Sequence, residues 1–345
     1  MQQPKLNATI AKARALYGKR LKQDDYIALA HCRNVSDVAE YLYANTYYGK
    51  ALSGVNLRSV HRGYLESIIR TNSLERYLDL CDFQKLSNLP FFDFYLRELE
   101  ISELMRYVMY MNVGAVSHFI SSVPNYVLEN ATFDIHALSK ATTVDELLEV
   151  LKHTPYCDII KNAGYDANGK INYPRCEVLL RTYYLSELGD IVKRTISGSE
   201  RDELLMQIKQ QVDLINIINS YRLKTFFNLD NEKLAEHMLP FKGRMTFSQK
   251  NELMSSQNGE EFVENFSKSV YGRQLGSIKS GFFEENINRL RAVSAKRGLM
   301  SAKGVSLCLY CLKYLFDIEA ENIVNIIEAI RYGKSPDVTL NYVIY

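Results

Sequence analysis

Three short landmarks recur in the same order three times along this chain, roughly 110 residues apart, a period that marks an internally repeated architecture. The first is SDVAEYLYANTYYGKAL (36–52), answered by VDELLEVLKHTPYCDII (144–160) and GEEFVENFSKSVYGRQL (259–275). In each, an acid (Asp37, Asp145, Glu260) stands nine positions before a hydroxyl residue (Thr46, Thr154, Ser269), and a tyrosine (Tyr48, Tyr156, Tyr271) stands two after it. Apolar residues between them keep helical spacing, as at Ala39/Leu147/Phe262 and Tyr43/Leu151/Phe266. Each stretch therefore predicts an amphipathic helix followed by an aromatic turn.

The second landmark is a glutamate four positions before an arginine: Glu66/Arg70, Glu177/Arg181 and Glu285/Arg289. This orientation supports an exposed helix by roughly 0.2–0.5 kcal/mol. The third opens on an acid (Glu100, Asp213, Glu319), with Glu103, Asn216 or Asn322 three positions later and Leu104, Ile217 or Ile323 after that. Helical periodicity explains each landmark separately but not their shared order. The order predicts a tandem triplication with units at 1–122, 123–235 and 236–345, the second boundary lying near the breakers Pro240 and Gly243. Only 7 Pro and 17 Gly occur in 345 residues, so the units are expected to be all-α. They are longer than ordinary solenoid repeats, which favours one curved or closed body over a rod.

Composition narrows the function classes. With 42 basic and 40 acidic side chains the net charge is +2, so no bulk positive field calls for nucleic acid. The longest apolar stretches, 107–120 and 305–316, are too short to span a bilayer, and the second carries Lys313. Residues 1–20 lack the apolar core of a signal peptide. Six cysteines without regular paired spacing suggest a reducing, cytosolic setting.

Candidate chemical motifs have plainer readings. Cys308-Leu-Tyr-Cys311 has the spacing of a zinc or redox pair, but no second ligand pair accompanies it and it lies in an apolar helical run. Two core-facing thiols one turn apart are expected. Asp166-Ala-Asn-Gly-Lys170 places its glycine too early for a calcium loop and reads as a tight turn, with a small hairpin as the other option. Gly18-Lys19-Arg20 lacks the preceding glycine of a phosphate loop and reads as a solvated basic face. The six histidines show no metal-ligand spacing. No catalytic, cofactor-binding or metal residue is expected. The 24 tyrosines suit cores and interfaces equally.

The stretch DDYIALAHCRNVSDVAEYLYANTYYGKAL (24–52) resembles the opening repeat of the C/d subunit family of V-type and archaeal A-type ATPases. The closing ENIVNIIEAIRYGKS and NYVIY, the Glu-to-Arg helices and the Thr-Pro-Tyr156 segment fit the same family, so the resemblance covers essentially the whole chain. Departures are local: Cys157 stands where the other repeats have Gly49 and Gly272, and Ser269 replaces threonine.

The resemblance implies a funnel of three helical subdomains about a pseudo-threefold axis. Such a protein would sit peripherally on the cytoplasmic face of the membrane proteolipid ring and hold the foot of the central shaft, the D and F subunits. It would bind no nucleotide, cofactor or small-molecule substrate. It would carry torque for ATP-coupled transport of protons or sodium ions. A single coupler on a many-fold ring meets a symmetry mismatch, so its ring contacts should be numerous, polar and individually weak. Arg70, Arg181 and Arg289 are candidates for socket or rim positions, although simple pairing with Glu66, Glu177 and Glu285 is the default. Two other readings remain: a static helical-repeat scaffold gripping a partner helix or peptide, and a helical enzyme marked by a buried cluster of perturbed groups.

Overall fold

Each copy of the first landmark starts a helix on a reciprocal cap. Asn34 accepts from Asp37 N (2.9 Å), while Arg33 N donates back to the Asp37 carboxylate (3.0 Å). Thr143 and Glu146 make the same exchange, with Glu146 N donating to Thr143 Oγ1 (3.3 Å) and Thr142 N and Thr143 N donating to Glu146 (2.7 and 3.1 Å). Asn258 accepts from Glu261 N (2.9 Å), and Gln257 N donates to Glu261 (2.8 Å). Two otherwise unpaired amides are satisfied at the first and third helix starts and three at the middle one, each with a carboxylate at the positive end of the helix dipole. The backbone bonds hold the exposed Glu146 carboxyl below its usual range.

The helices so begun are Val35–Asn45, Val144–Leu151 and Gly259–Ser267. After a break at Thr46, Thr154 or Ser269 come a short turn at Tyr47–Gly49, the helix Tyr156–Ala163 and the turn Gly272–Leu275. The hydroxyls help close these breaks. Thr46 Oγ1 donates to Leu42 O (2.6 Å) and accepts from Tyr48 N (3.2 Å), while Ser269 Oγ accepts from Tyr271 N (3.3 Å) and Gly272 N (3.1 Å). Thr154 Oγ1 donates to Leu151 O (2.8 Å).

The computed structural model describes residues 3–83, 86, 90–120, 123–227, 229–275 and 282–345. Among them the fold is all-α, with no β-strand and one isolated antiparallel bridge, Tyr165 to Ile171. That bridge closes the turn expected at 166–170, where Gly169 has a φ of 75° and Asp166 Oδ1 accepts from Asn168 N and Lys170 N. The first expected unit boundary, residue 122, lies outside the described residues. The second, residue 235, falls in the last turn of the helix Asn231–Glu236.

By compactness the chain falls into two units, Met1–Asn88 with Ser197–Leu214 and Val263–Tyr345, and Leu89–Ile196 with Ile215–Phe262. The spine of the first is Val305–Arg331, which packs against Gln3–Gly18, Arg62–Phe83 and Phe283–Ser301. Its core joins early residues (Leu29, Val38, Leu42) to late ones (Ile323, Ile326, Val343). Gly298 lets Phe283–Ser301 approach the spine, since a Cβ there would sit 2.5 Å from Cys311 Sγ. Cys308 and Cys311 are wholly buried free thiols, and burial raises both, Cys308 to about 12. They are core residues, in line with the sequence reading. Lys313, also buried, is neutralised by Asp317 one turn on (2.8 Å). At the spine's start the Glu200 carboxylate accepts from Ser306 N (2.8 Å).

In the second unit Phe94–Asn112 packs against Tyr173–Thr195, which also receives Tyr156–Ala163. Asn172 caps Tyr173–Thr195 by accepting from Arg175 N (3.2 Å), with Pro174 in the first turn, where a missing N–H costs nothing. Asn112 fixes the neighbouring loop by exchanging two bonds with the Ile171 backbone (2.9 and 3.2 Å).

Candidate functional site

The acids of the third landmark are buried, and each meets a tyrosine supplied by a copy of the first. Glu100, wholly inaccessible to solvent, accepts from Tyr156 OH (2.8 Å), Thr132 N (2.6 Å) and the Arg97 guanidinium (3.0 Å). Asp213, also buried, accepts from Tyr271 OH (2.9 Å). Glu319 accepts from Tyr47 OH and from Leu21 N (2.7 Å), with Arg76 Nη1 at 3.7 Å. Each third-landmark acid thus binds a tyrosine of the first-landmark copy that follows it in sequence, and the last acid returns to the first copy. Glu100 and Glu319 each also accept from a backbone N–H upstream of the partner tyrosine, Thr132 or Leu21.

The junctions share a spacing that the landmark register hides. From the capping acid to the bonding tyrosine is ten positions in every copy: Asp37 to Tyr47, Glu146 to Tyr156, Glu261 to Tyr271. Counted from the turn hydroxyl, however, the first copy uses Tyr47 and not its aligned neighbour Tyr48. The two rings stack at 4.4 Å, and the Arg76 guanidinium lies 3.8 Å from the Tyr47 centroid and 4.2 Å from that of Phe316. The first landmark helix holds one extra residue between cap and turn, which moves the bonding role by one position.

Burial dominates the electrostatics here. The Glu319 carboxyl is raised above its usual range by desolvation, against the lowering effects of Tyr47, Leu21 N and Arg76. The Tyr47 and Tyr156 hydroxyls are raised too, chiefly by burial and secondarily by neighbouring anionic or phenolic groups. Both Glu319 oxygens are taken by donors of the protein itself, so this perturbed acid reads as a structural tie. Tyr156→Phe and Tyr271→Phe should each lower stability by about 1.5–3 kcal/mol, the usual worth of a hydrogen bond to a charged group. Chemical denaturation of the two variants checks this, and a loss of less than about 0.5 kcal/mol in both, the floor for an ordinary hydrogen bond, would refute the role given to the hydroxyls.

The second-landmark arginines divide. Arg181 pairs with Glu177 (2.9 Å), the local default. Arg70 instead reaches Glu321 (2.9 Å), while Glu66 is taken by Arg62 (2.5 Å). Arg289 donates to Asn341 O (3.4 Å). The third-landmark amides have a definite task. Asn216 exchanges two bonds with the Leu239 backbone (3.0 and 2.9 Å) and Asn322 two with Ile344 (2.7 and 2.9 Å), whereas Glu103 pairs with Arg106 in its own helix. Among the described residues no three His, Cys, Asp or Glu side chains converge as a metal site. Nor is any helix among them long and apolar enough to cross a membrane.

These ties run between landmarks in triplicate. The family model of the ATP synthase (C/AC39) subunit matches residues 9–342, nearly the whole chain. The chain belongs to that family. Within the ATP synthase (C/AC39) family it is similar to the C subunit of the A-type ATP synthase of Halorubrum lacusprofundi, with 24% identity over 288 residues, covering 80% of this chain and 77% of the relative. It is similar also to the C subunit of the A-type ATP synthase of Methanosphaera stadtmanae, 24% identical over 267 residues, covering 76% of this chain and 65% of that relative. The acid–tyrosine junctions do not follow from the sequence reading, although the recurring order of acid, then tyrosine one repeat later, is their visible trace.

Proposed function

We propose that this chain is the non-catalytic coupling component of a V/A-type ATPase, holding the D/F central shaft on the membrane proteolipid ring and passing torque between them. Family membership over residues 9–342 carries the reading. The junctions support it physically. A torque coupler must deform little under shear, and buried, hydrogen-bonded acids that tie repeat to repeat resist sliding more specifically than apolar packing alone. In this reading the three units 1–122, 123–235 and 236–345 surround a pseudo-threefold axis as a funnel. The chain is peripheral to the membrane on its cytoplasmic face and serves ATP-coupled proton or sodium ion transport.

The chain, made alone, should co-elute as one copy with the purified D/F pair of its own organism and should hydrolyse no ATP. A folded, monomeric chain that fails to bind D/F would overturn the coupler and favour the static scaffold.

A further inference from the structure

We infer that the first unit carries a binding pocket for a small, multiply charged, phosphate-bearing anion, formed by Arg20, Lys22 and Lys296. These cations border a cavity of about 310 Å³ between the segment 17–26 and the helices Phe283–Ser301 and Val305–Arg331. That volume lies at the lower end of the range for small-molecule sites. The inference is independent of the coupling reading, which needs no small ligand.

The fold places three cations and one carboxylate, Glu319, on the wall of a formed cavity, and positive charge is in excess there. Among the described residues no ion pair engages Arg20, Lys22 or Lys296. Arg20 lies against the Tyr17 ring (4.2 Å to its centroid) and donates to Tyr17 O (3.3 Å), which fixes its direction without neutralising it. Lys22 Nζ donates to Gly18 O (2.8 Å). Glu319 lines the same cavity, but both its oxygens are taken, by Tyr47 OH and Leu21 N, while Asp25 accepts from Tyr41 OH (2.9 Å) and Lys22 N (2.6 Å). Lys22 is held below its ordinary value by partial burial and then by Arg20, with Lys296 a weaker contributor and with Glu319 and Asp25 acting in the opposite direction, so its amine senses both other cations. Three cations against one hydrogen-bonded carboxylate on a concave wall favour a polyanion there. Leu21, Tyr26 and Leu315 add an apolar wall for the body of an organic phosphate.

Inorganic pyrophosphate titrated calorimetrically into the full chain at low ionic strength tests the pocket. Saturable one-to-one binding is expected, weakened at least tenfold in the Lys22→Ala/Lys296→Ala double variant and unchanged in Lys268→Ala, whose exposed amine pairs with Glu264 away from the pocket. Neither pocket lysine makes an ion pair among the described residues, and the one bond lost is the exposed Lys22 contact to Gly18 O, so the double variant should stay close to the wild-type thermal midpoint without ligand. Absence of saturable binding, or equal weakening in Lys268→Ala, would overturn the proposal unless a vesicle arm rescues it. In that arm, sedimentation with phosphatidylglycerol but not phosphatidylcholine vesicles, lost in the double variant, would name a lipid headgroup as the source of the phosphate. Pyrophosphate binding without sedimentation would name a free anion, and failure of both arms removes the pocket.

Discussion

Glu319→Ala is expected to lower folding stability by about 3–5 kcal/mol, the range for removing one partner of a buried ion pair. The loss has named parts. Arg76 keeps only its aromatic contacts and its bond to Leu16 O (3.1 Å), with its charge uncompensated in an enclosed site. Tyr47 OH and Leu21 N lose their acceptor, and each stranded donor adds to the cost. Glu319→Gln separates charge from shape. Its amide can accept from Tyr47, but its NH₂ then faces Leu21 N–H, donor against donor.

The pH dependence adds a sign. Because burial raises the folded Glu319 carboxyl above its ordinary value of 4.5, the folded state binds the proton more tightly than the unfolded chain. The carboxyl's contribution is therefore largest below an ordinary carboxyl's range and declines as pH rises through the raised value. Glu319→Gln lacks this decline, so its deficit relative to wild type should shrink as pH rises across that window. Urea unfolding of wild type and both variants across that window measures these effects. A loss below about 1 kcal/mol for Glu319→Ala, far short of the cost of a stranded buried charge, would show that the junction is not a tie.

The second large effect is expected at Gly272. A Cβ there would sit 2.1 Å from Phe266 O and 2.5 Å from Ser267 Cα, both backbone atoms of the preceding helix end. No side-chain rotation can relieve such a clash, so the helix–turn break must open. Gly272→Ala should cost about 3 kcal/mol or more, at the upper end of overpacking penalties. Gly49→Ala meets one such atom, Tyr43 O at 2.5 Å, and should cost less. The middle copy has already solved the problem, since Cys157 carries a Cβ there and directs its thiol to Leu148 O (3.6 Å). Cys157→Ala should therefore be mild. Thermal unfolding of the three variants gives the order, and a Gly272→Ala midpoint equal to that of wild type would contradict the close approach.

Features set by short-range chemistry were legible in the sequence. The scarcity of Pro and Gly announced helices, the landmark pattern announced a helix and a turn three times, and Cys308/Cys311 and Asp166–Lys170 were read as what they are. The acid–tyrosine junctions were not legible, because their partners lie 56, 58 and 272 positions apart and periodicity carries no long-range pairing. The Tyr47 assignment was hidden by one extra helical residue, since counting from the turn and counting from the cap give different tyrosines. Arg70 and Arg289 escaped the local rule because a packed neighbour offers a better-placed acceptor than a residue on their own helix. A few tenths of a kcal/mol is easily outbid.

The union of early and late helices in the first unit has a consequence for birth on the ribosome. Its core needs Val305–Arg331 against helices that end at Phe83. At about 5–20 residues per second, the early helices wait roughly 10–50 s for the spine to be made. The stretch 89–262 is translated within that interval and supplies every residue of the second unit. The nascent chain thus carries Leu29, Val38 and Leu42 without their late neighbours Ile323, Ile326 and Val343 for most of its synthesis.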